Sequence, residues 1–442
     1  MDPIHVPSTE ISLGSMVPSG VDAAAGHPKS CLLARKPLVA KYDNGTTAFY
    51  HIKDPDDSRE MSIQVSLSVS SPPLVYYVSV WSTGGCFTQE PFIHSTHGEL
   101  ILLSMAIRTP TCFFPEFYIY QPDARSLDLV PQFMDERFVS EPCAVGLLSH
   151  GDGGGYSVVV LTTEGEGEFK LCLFRSKMGT WTIKKPLLLL EDGAADFMPN
   201  KVITVDGGVL AFVDLSKGVL IGDVLQDIPE FHYIPLPSEF CQPWTSYPLQ
   251  TRDVSIIKSC DNKFLIKFNE LFCPITLGAW AASTWITTTE ASCPWNQLEV
   301  WDTHSTLEAR QLLSGGGVSI AELLPETLDI QCKPNFGLLF VDMPMVSLHE
   351  DNIVCFLAKH HYLEQQVWVI AVDMVTRKLL GVHPLQMERF PRLFYSTISS
   401  HLNTSAMASG AKGDLETARN APRVKSLPEQ SAASIHAVDR RL

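Results

Sequence analysis

The chain of 442 residues carries 49 acidic against 33 basic side chains, a formal charge of −16, and is 45% hydrophobic. That much apolar material can bury a large core and excludes a globally disordered chain, while a field of that sign repels phosphate backbones, so nucleic acid is not an expected partner. A membrane span is not expected either: among the longest apolar stretches, Leu100 to Ile107 is interrupted by Ser104 and falls far short of the roughly 20 residues a spanning helix needs.

The opening MDPIHVPSTEISLGSMVPSG has neither the basic start nor the apolar core of a secretory signal, and too little Arg for an organellar transit peptide, which predicts a cytoplasmic or nuclear protein. Residues 1–30 and 402–442 are rich in small and polar residues without periodicity and read as a mobile N-terminal tail and a disordered C-terminal tail. Eleven cysteines, odd in number and never spaced C-x-x-C, read as reduced, mostly buried small hydrophobes. The sequons at Asn44 and Asn403 read as chance tripeptides, since no secretory signal precedes them.

Residues 31–401 read as one β domain. From Tyr156, the run Val158 to Leu161, an acidic Gly-rich turn, and Phe169, Leu171 and Leu173 alternating with Lys170, Cys172 and Phe174 predict two strands. A third follows the Gly179-Thr180 turn, with Trp181 and Ile183 on one face and Thr182 and Lys184 on the other. Val202 to Val205, Asp206-Gly207-Gly208 and Val209 to Leu215 predict a hairpin, because Asp-Gly suits positive φ angles. The pattern returns at Val219 to Leu225, Val254 to Ile257, Phe264 to Phe268, Ile353 to Leu357 and Val367 to Val372. Helical periodicity is confined to single turns at Ser319 to Leu324 and Met343 to Leu348. The expectation is an all-β, propeller-like array of three- to four-stranded antiparallel meanders with few short helices and an unreadable blade number.

The segment KVITVDGGVLAFVDLSKGVLIGDVL (Lys201 to Leu225) followed by IPEFHYIPLPSEF (Ile228 to Phe240) resembles the core of a plant family abundant in grasses, domain of unknown function 1618. HGELILLSMAI and FYIYQPDARSLDLVP upstream, and RDVSIIKSC, WAASTWI and VWVIAVDMVTRKLLGV downstream, extend the resemblance over roughly residues 30 to 400. Ser216-Lys217 stands where an aromatic-basic pair is expected after Val213-Asp214-Leu215. The resemblance implies the fold and brings no activity, cofactor or catalytic residue with it.

Local motifs read as structure. His94 and His97 have a spacing that metal ligands use on one helical turn, but Ser-Thr-His-Gly reads as a turn between strands. His360 and His361 are adjacent, and strand neighbours face opposite ways. Gly151 to Gly155 lacks the Lys-Ser/Thr ending of a phosphate loop and reads as a hairpin connection, as does Ser314 to Gly317. Asp214 and Asp223 read as acceptors for turn amides rather than paired acids. The Lys184-Lys185 and Arg440-Arg441 pairs read as solvated surface, and the cations from Lys412 to Lys425, diluted by Asp414 and Glu416, as at most a weak localisation signal. Leu236 to Phe240 faintly resembles an F-box opening but follows a strand, so it reads as a blade exit. Trp244, Trp280, Trp285, Trp295 and Trp301 read as core or inter-blade packing.

No catalytic, cofactor-binding or metal-ligating residue is assigned. The leading expectation is a non-enzymatic protein-interaction scaffold with an unidentified protein partner. The alternatives are an enzyme or small-molecule binder using a central pocket, and an adaptor-like relative of F-box-associated domains lacking the F-box.

Overall fold

The computed structural model describes residues 28–52, 61–68, 75–107, 115–132, 145–151, 154–165, 168–189, 197–237, 248–259, 263–273, 280–290, 295, 300–314, 335–350, 352–361, 364, 366–386 and 392–402. They form six sheets arranged as a six-bladed β-propeller. From the axis outward, blade 2 is Phe92–His97, Leu100–Met105, Glu116–Gln121 and Ser126–Leu129. Blade 3 is Val145–Ser149, Tyr156–Gly165, Glu168–Arg175 and Thr180–Lys184, and blade 5 is Arg252–Lys258, Lys263–Phe272, Ala281–Glu290 and Asp302–Glu308. Blade 4 consists of Lys201–Asp206, Val209–Asp214, Gly218–Asp223 and Glu230–Pro235; blade 6 of Phe340–Val346, Ile353–Lys359, Gln366–Asp373 and Lys378–Gln386. Both gain a fifth, parallel outer strand from the chain preceding them, Leu187–Leu189 and Leu313–Ser314.

Blade 1 is assembled from both ends of the described chain. Its innermost strand is Leu393–Ser396, which pairs antiparallel with Cys31–Ala34; outward lie Val75–Thr83, Met61–Ser68 and Ala48–Ile52. Cys31–Ala34 joins Val75–Thr83 in parallel, and Leu38–Val39 prolongs that contact.

The core consists of six apolar clusters, one between each pair of neighbouring blades. Each blade therefore divides its side chains between two clusters. In Glu168–Arg175, Phe169, Leu171 and Leu173 pack toward blade 4, while Cys172 and Phe174 pack toward blade 2. Both faces of the strand lose water, so alternation of apolar and polar residues disappears in its middle, and Leu100–Met105 is buried at every position for the same reason. Each fully buried aliphatic side chain contributes roughly 1.5–3 kcal/mol.

Gly207 and Gly208, at φ 57° and 103°, close the hairpin between Lys201–Asp206 and Val209–Asp214, the two-residue turn read from Asp-Gly-Gly. The tryptophans pack between blades: Trp280 and Trp285 are buried, and Trp301 donates from Nε1 to the Pro235 carbonyl of blade 4 at 2.9 Å. Trp244 lies outside the described residues.

Several expectations are corrected. Met343 to Val346 is strand, not a helical turn: Met343, at φ 50°, is the irregular residue that shifts the register between Asp342 and Met345 and mimics helical spacing. Ser95, Thr96 and His97 belong to a strand, leaving Gly98 and Glu99 for the turn. Ile183 is 56% exposed, because Thr180–Lys184 is the outer edge of blade 3. The cysteine expectation is met among the described free cysteines: Cys31, Cys172 and Cys355 are buried, Cys86 is intermediate and Cys273 exposed. The Ser319 to Leu324 turn, both tails apart from Pro28 to Ser30 and Leu402, and the Arg440-Arg441 pair lie outside the described residues.

Candidate functional site

The inner strands of a propeller run along the axis, so their first residues gather at one end of it. There lies a cavity of about 50 Å³, lined by residues that include Arg35, Lys201, Arg252 and Arg392 together with Asp253. Lys201 and Arg252 open the inner strands of blades 4 and 5, and Arg392 directly precedes that of blade 1. Arg35 reaches the same end because Cys31–Ala34 runs antiparallel to Leu393–Ser396, which sets Ala34 opposite Leu393.

Each cation is held differently. Arg252 donates from Nε to Glu270 Oε1 at 2.9 Å and from Nη1 to the Leu215 carbonyl at 3.0 Å. Burial pushes the Glu270 carboxyl above its ordinary value, and Arg252 pulls it back. Lys201 donates to Asp253 Oδ1 at 2.6 Å and to the Val254 carbonyl at 2.8 Å, while Asp253 Oδ2 accepts the Val346 amide of blade 6 at 2.9 Å. Arg35 donates from Nη1 to the His94 carbonyl at 3.0 Å and lies 4.3 Å over the Phe394 ring. Its backbone amide donates to the Arg392 carbonyl, and its own carbonyl accepts from Ile93, tying blade 1 to blade 2. Arg392 is exposed at the rim.

This arrangement can receive an anion. Its one carboxylate, Asp253, is engaged by Lys201 and the Val346 amide.

The motifs weighed in the sequence lie elsewhere. His94 is buried between Phe92 and Phe117, with ring centroids 5.1 and 5.2 Å away, and shares a 2.8 Å hydrogen bond with Ser104. His97 Nδ1 accepts the Ser149 amide of blade 3 at 2.8 Å. His360 and His361 lie beyond the strand end at Lys359, and their backbone amides donate to Glu364 Oε2. Among the described residues, no group of three or more His, Cys, Asp or Glu is placed to hold a metal ion.

Asp214 accepts the Met198 and Ser216 amides, and Asp223 that of Leu225. His150 donates from its backbone to the Gly155 carbonyl, closing the glycine-rich hairpin; Asp152 and Gly153 lie outside the described residues, as do Gly315 to Gly317. Lys184 donates to the Val224, Leu225 and Gln226 carbonyls of blade 4, and Lys185 pairs with Glu168. Asn44 donates from Nδ2 to the Leu67 carbonyl at 2.8 Å, and Asn403 lies outside the described residues. Leu236 donates to the Lys217 carbonyl at the exit of blade 4, with Ser238 to Phe240 outside the described residues.

Sequence reasoning missed the axial cations because Arg35, Lys201, Arg252 and Arg392 stand far apart in the chain and come from three blades. One signal was present: Lys201 and Arg392 each stand directly before an apolar strand run, and Arg252 precedes one with Asp253 between.

No curated protein matches the chain. Among solved structures, an α-L-arabinofuranosidase from Fusarium graminearum is 6% identical, aligned over 66% of this chain and 78% of its own, with a TM-score of 0.30. The Nup133 β-propeller domain of Vanderwaltozyma polyspora is 8% identical over 77% and 92%, with a TM-score of 0.31. A protein of unknown function from Dyadobacter fermentans is 11% identical over 75% and 94%, with a TM-score of 0.30. At these scores none of the three carries an argument for this chain. The family resemblance read from the sequence is met in residues 212–355, from the second strand of blade 4 to the second strand of blade 6, which match the family described as Protein of unknown function (DUF1618).

Proposed function

We propose that the protein is a non-enzymatic interaction scaffold of the cytosol or nucleus, and that it receives a protein partner on the axial face where the inner strands begin. The observation that carries this reading is the size of the axial cavity beside its charge. At about 50 Å³ it has room for one charged group and its water. A pocket that engulfs a small-molecule substrate takes about 300–1,000 Å³. A ligand engaging the four cations of the lining therefore keeps most of its surface outside, on the rim, as a macromolecular partner does.

The test is proximity labelling in plant cells with the full chain and with Arg392→Glu, a substitution at an exposed rim residue. A small reproducible partner set, depleted by the variant, is the expected result. Ubiquitin-ligase components in that set would identify the adaptor form of the scaffold. Saturable turnover of a small molecule by the purified protein, or a partner set indifferent to the substitution, would sink the reading.

A further inference from the structure

We infer that the axial cavity is a receptor for a phosphate group carried on a side chain of the partner protein, an inference that rests on the axial-face reading above. On a chain of charge −16, four cations and one carboxylate line one small cavity; Asp253 pairs with Lys201, and Glu270, outside the lining, pairs with Arg252. The cations come from three blades, with Arg35 and Arg392 both from blade 1, and are held in a recess where charge interactions are less screened than on an open surface.

Asp253 shows how an oxyanion sits there. One of its oxygens takes the Lys201 ammonium at 2.6 Å and the other takes a backbone amide at 2.9 Å. An incoming anion meets guanidinium donors, those of Arg392, which is exposed at the rim, and Arg35, both of which line the cavity. The Arg35 guanidinium is already oriented by the His94 carbonyl and the Phe394 ring, so little freedom is lost when it binds. Planar guanidinium forks match phosphate oxygens two at a time. A phosphorylated side chain brings roughly −1.5 to −2 charges and three acceptor oxygens, against one charge and two oxygens for a carboxylate. A lining rich in cations favours the more highly charged group. At about 50 Å³ the cavity has room for a tetrahedral anion but not for a whole nucleoside, so what carries the phosphate stays on the axial face.

The test measures binding of three probes to the full chain by fluorescence anisotropy and calorimetry: a degenerate phosphoserine and phosphothreonine peptide pool, the same pool unphosphorylated, and inorganic phosphate. The phosphorylated pool should bind at least about tenfold more tightly than its counterpart, the scale of one hydrogen bond to a charged group. Arg392→Gln should weaken it by about the same factor while leaving the urea midpoint unchanged. Asp253→Asn, which removes the competing carboxylate and releases Lys201, should tighten it several-fold, the opposite of what lost structure would produce.

Equal binding of the two pools overturns the inference while leaving the scaffold reading intact, since that reading is decided by the partner set in cells. Inorganic phosphate binding as tightly as the phosphopeptides overturns the peptide as the source. Phosphopeptide binding indifferent to Arg392→Gln and Asp253→Asn places the phosphate elsewhere and overturns the site.

Discussion

Leu33 and Phe394 stand opposite each other in antiparallel register, although one lies in the first strand of the described fold and the other in the last. Both belong to the cluster between blades 1 and 2, and the Phe394 ring also lies under the Arg35 guanidinium. This pair fastens the ring of blades.

Phe394→Ala should therefore cost about 3–5 kcal/mol, the range for truncating a buried aromatic. Leu33→Ala should cost about 2–5 kcal/mol. Because the two side chains share one cluster, the double variant should lose less than the sum. Urea unfolding of the four proteins measures this, and additive losses would mean that the two ends do not pack as one unit.

The turn of blade 4 distinguishes two adjacent glycines. A Cβ on Gly208, at φ 103°, would meet Asp223 Oδ1 at 2.7 Å and Leu225 Cδ1 at 2.9 Å, whereas one on Gly207, at φ 57°, meets nothing within 4 Å. Gly208→Ala should destabilise by about 1–3 kcal/mol. Gly207→Asn should stay within about 0.5 kcal/mol, since Asn tolerates the left-handed region. Comparable losses for both would contradict the geometry.

Asp342 lies in the inner strand of blade 6, where burial pushes its carboxyl from 3.8 up to about 6 and Lys359 pulls it back. The folded protein thus holds this proton to a higher pH than the unfolded chain does. The stability it contributes is full below about 3.8 and is lost as pH rises through about 6. Asp342→Asn should remove that slope, changing the difference in stability between about pH 4 and about pH 7 by on the order of 3 kcal/mol. Parallel stability–pH curves for the two proteins would refute it.

Trp280 and Trp301 each donate an indole N–H to a backbone carbonyl, that of Phe336 and that of Pro235, both at 2.9 Å. The first bond is buried and the second is exposed. Trp280→Phe leaves the Phe336 carbonyl with the Leu339 amide as its remaining donor but opens a void where the larger indole was buried, and should cost about 1–3 kcal/mol, while Trp301→Phe gives its acceptor back to water and should cost less, about 0.5–1.5 kcal/mol. Thermal unfolding of both variants ranks them.

Strands whose turns carry their own chemistry were legible in the sequence. Gly207-Gly208 and Gly179 each need a positive φ, and the strands they join lie where the pattern put them. Val145–Ser149 was not legible: short, and buried at four of its five positions, it shows no alternation to distinguish it from any apolar run. Blade number stayed hidden because blade 1 borrows its inner strand from the far end of the chain, while blades 4 and 6 each take an extra strand from the preceding segment. The axial site stayed hidden because Arg35, Lys201, Arg252 and Arg392 become neighbours only once the ring has formed.

The position of Leu393–Ser396 also bears on synthesis. The ribosome delivers the chain from its N-terminus, and domains begin to fold as they emerge. Cys31–Ala34 appears first, but its antiparallel partner appears last, after every strand of the other five blades. For most of translation, the nascent protein therefore holds an open arc with a bare apolar strand edge, the kind of surface that invites pairing with other chains. Shielding of that edge until the final strand arrives is a demand this architecture places on the cell's chaperones.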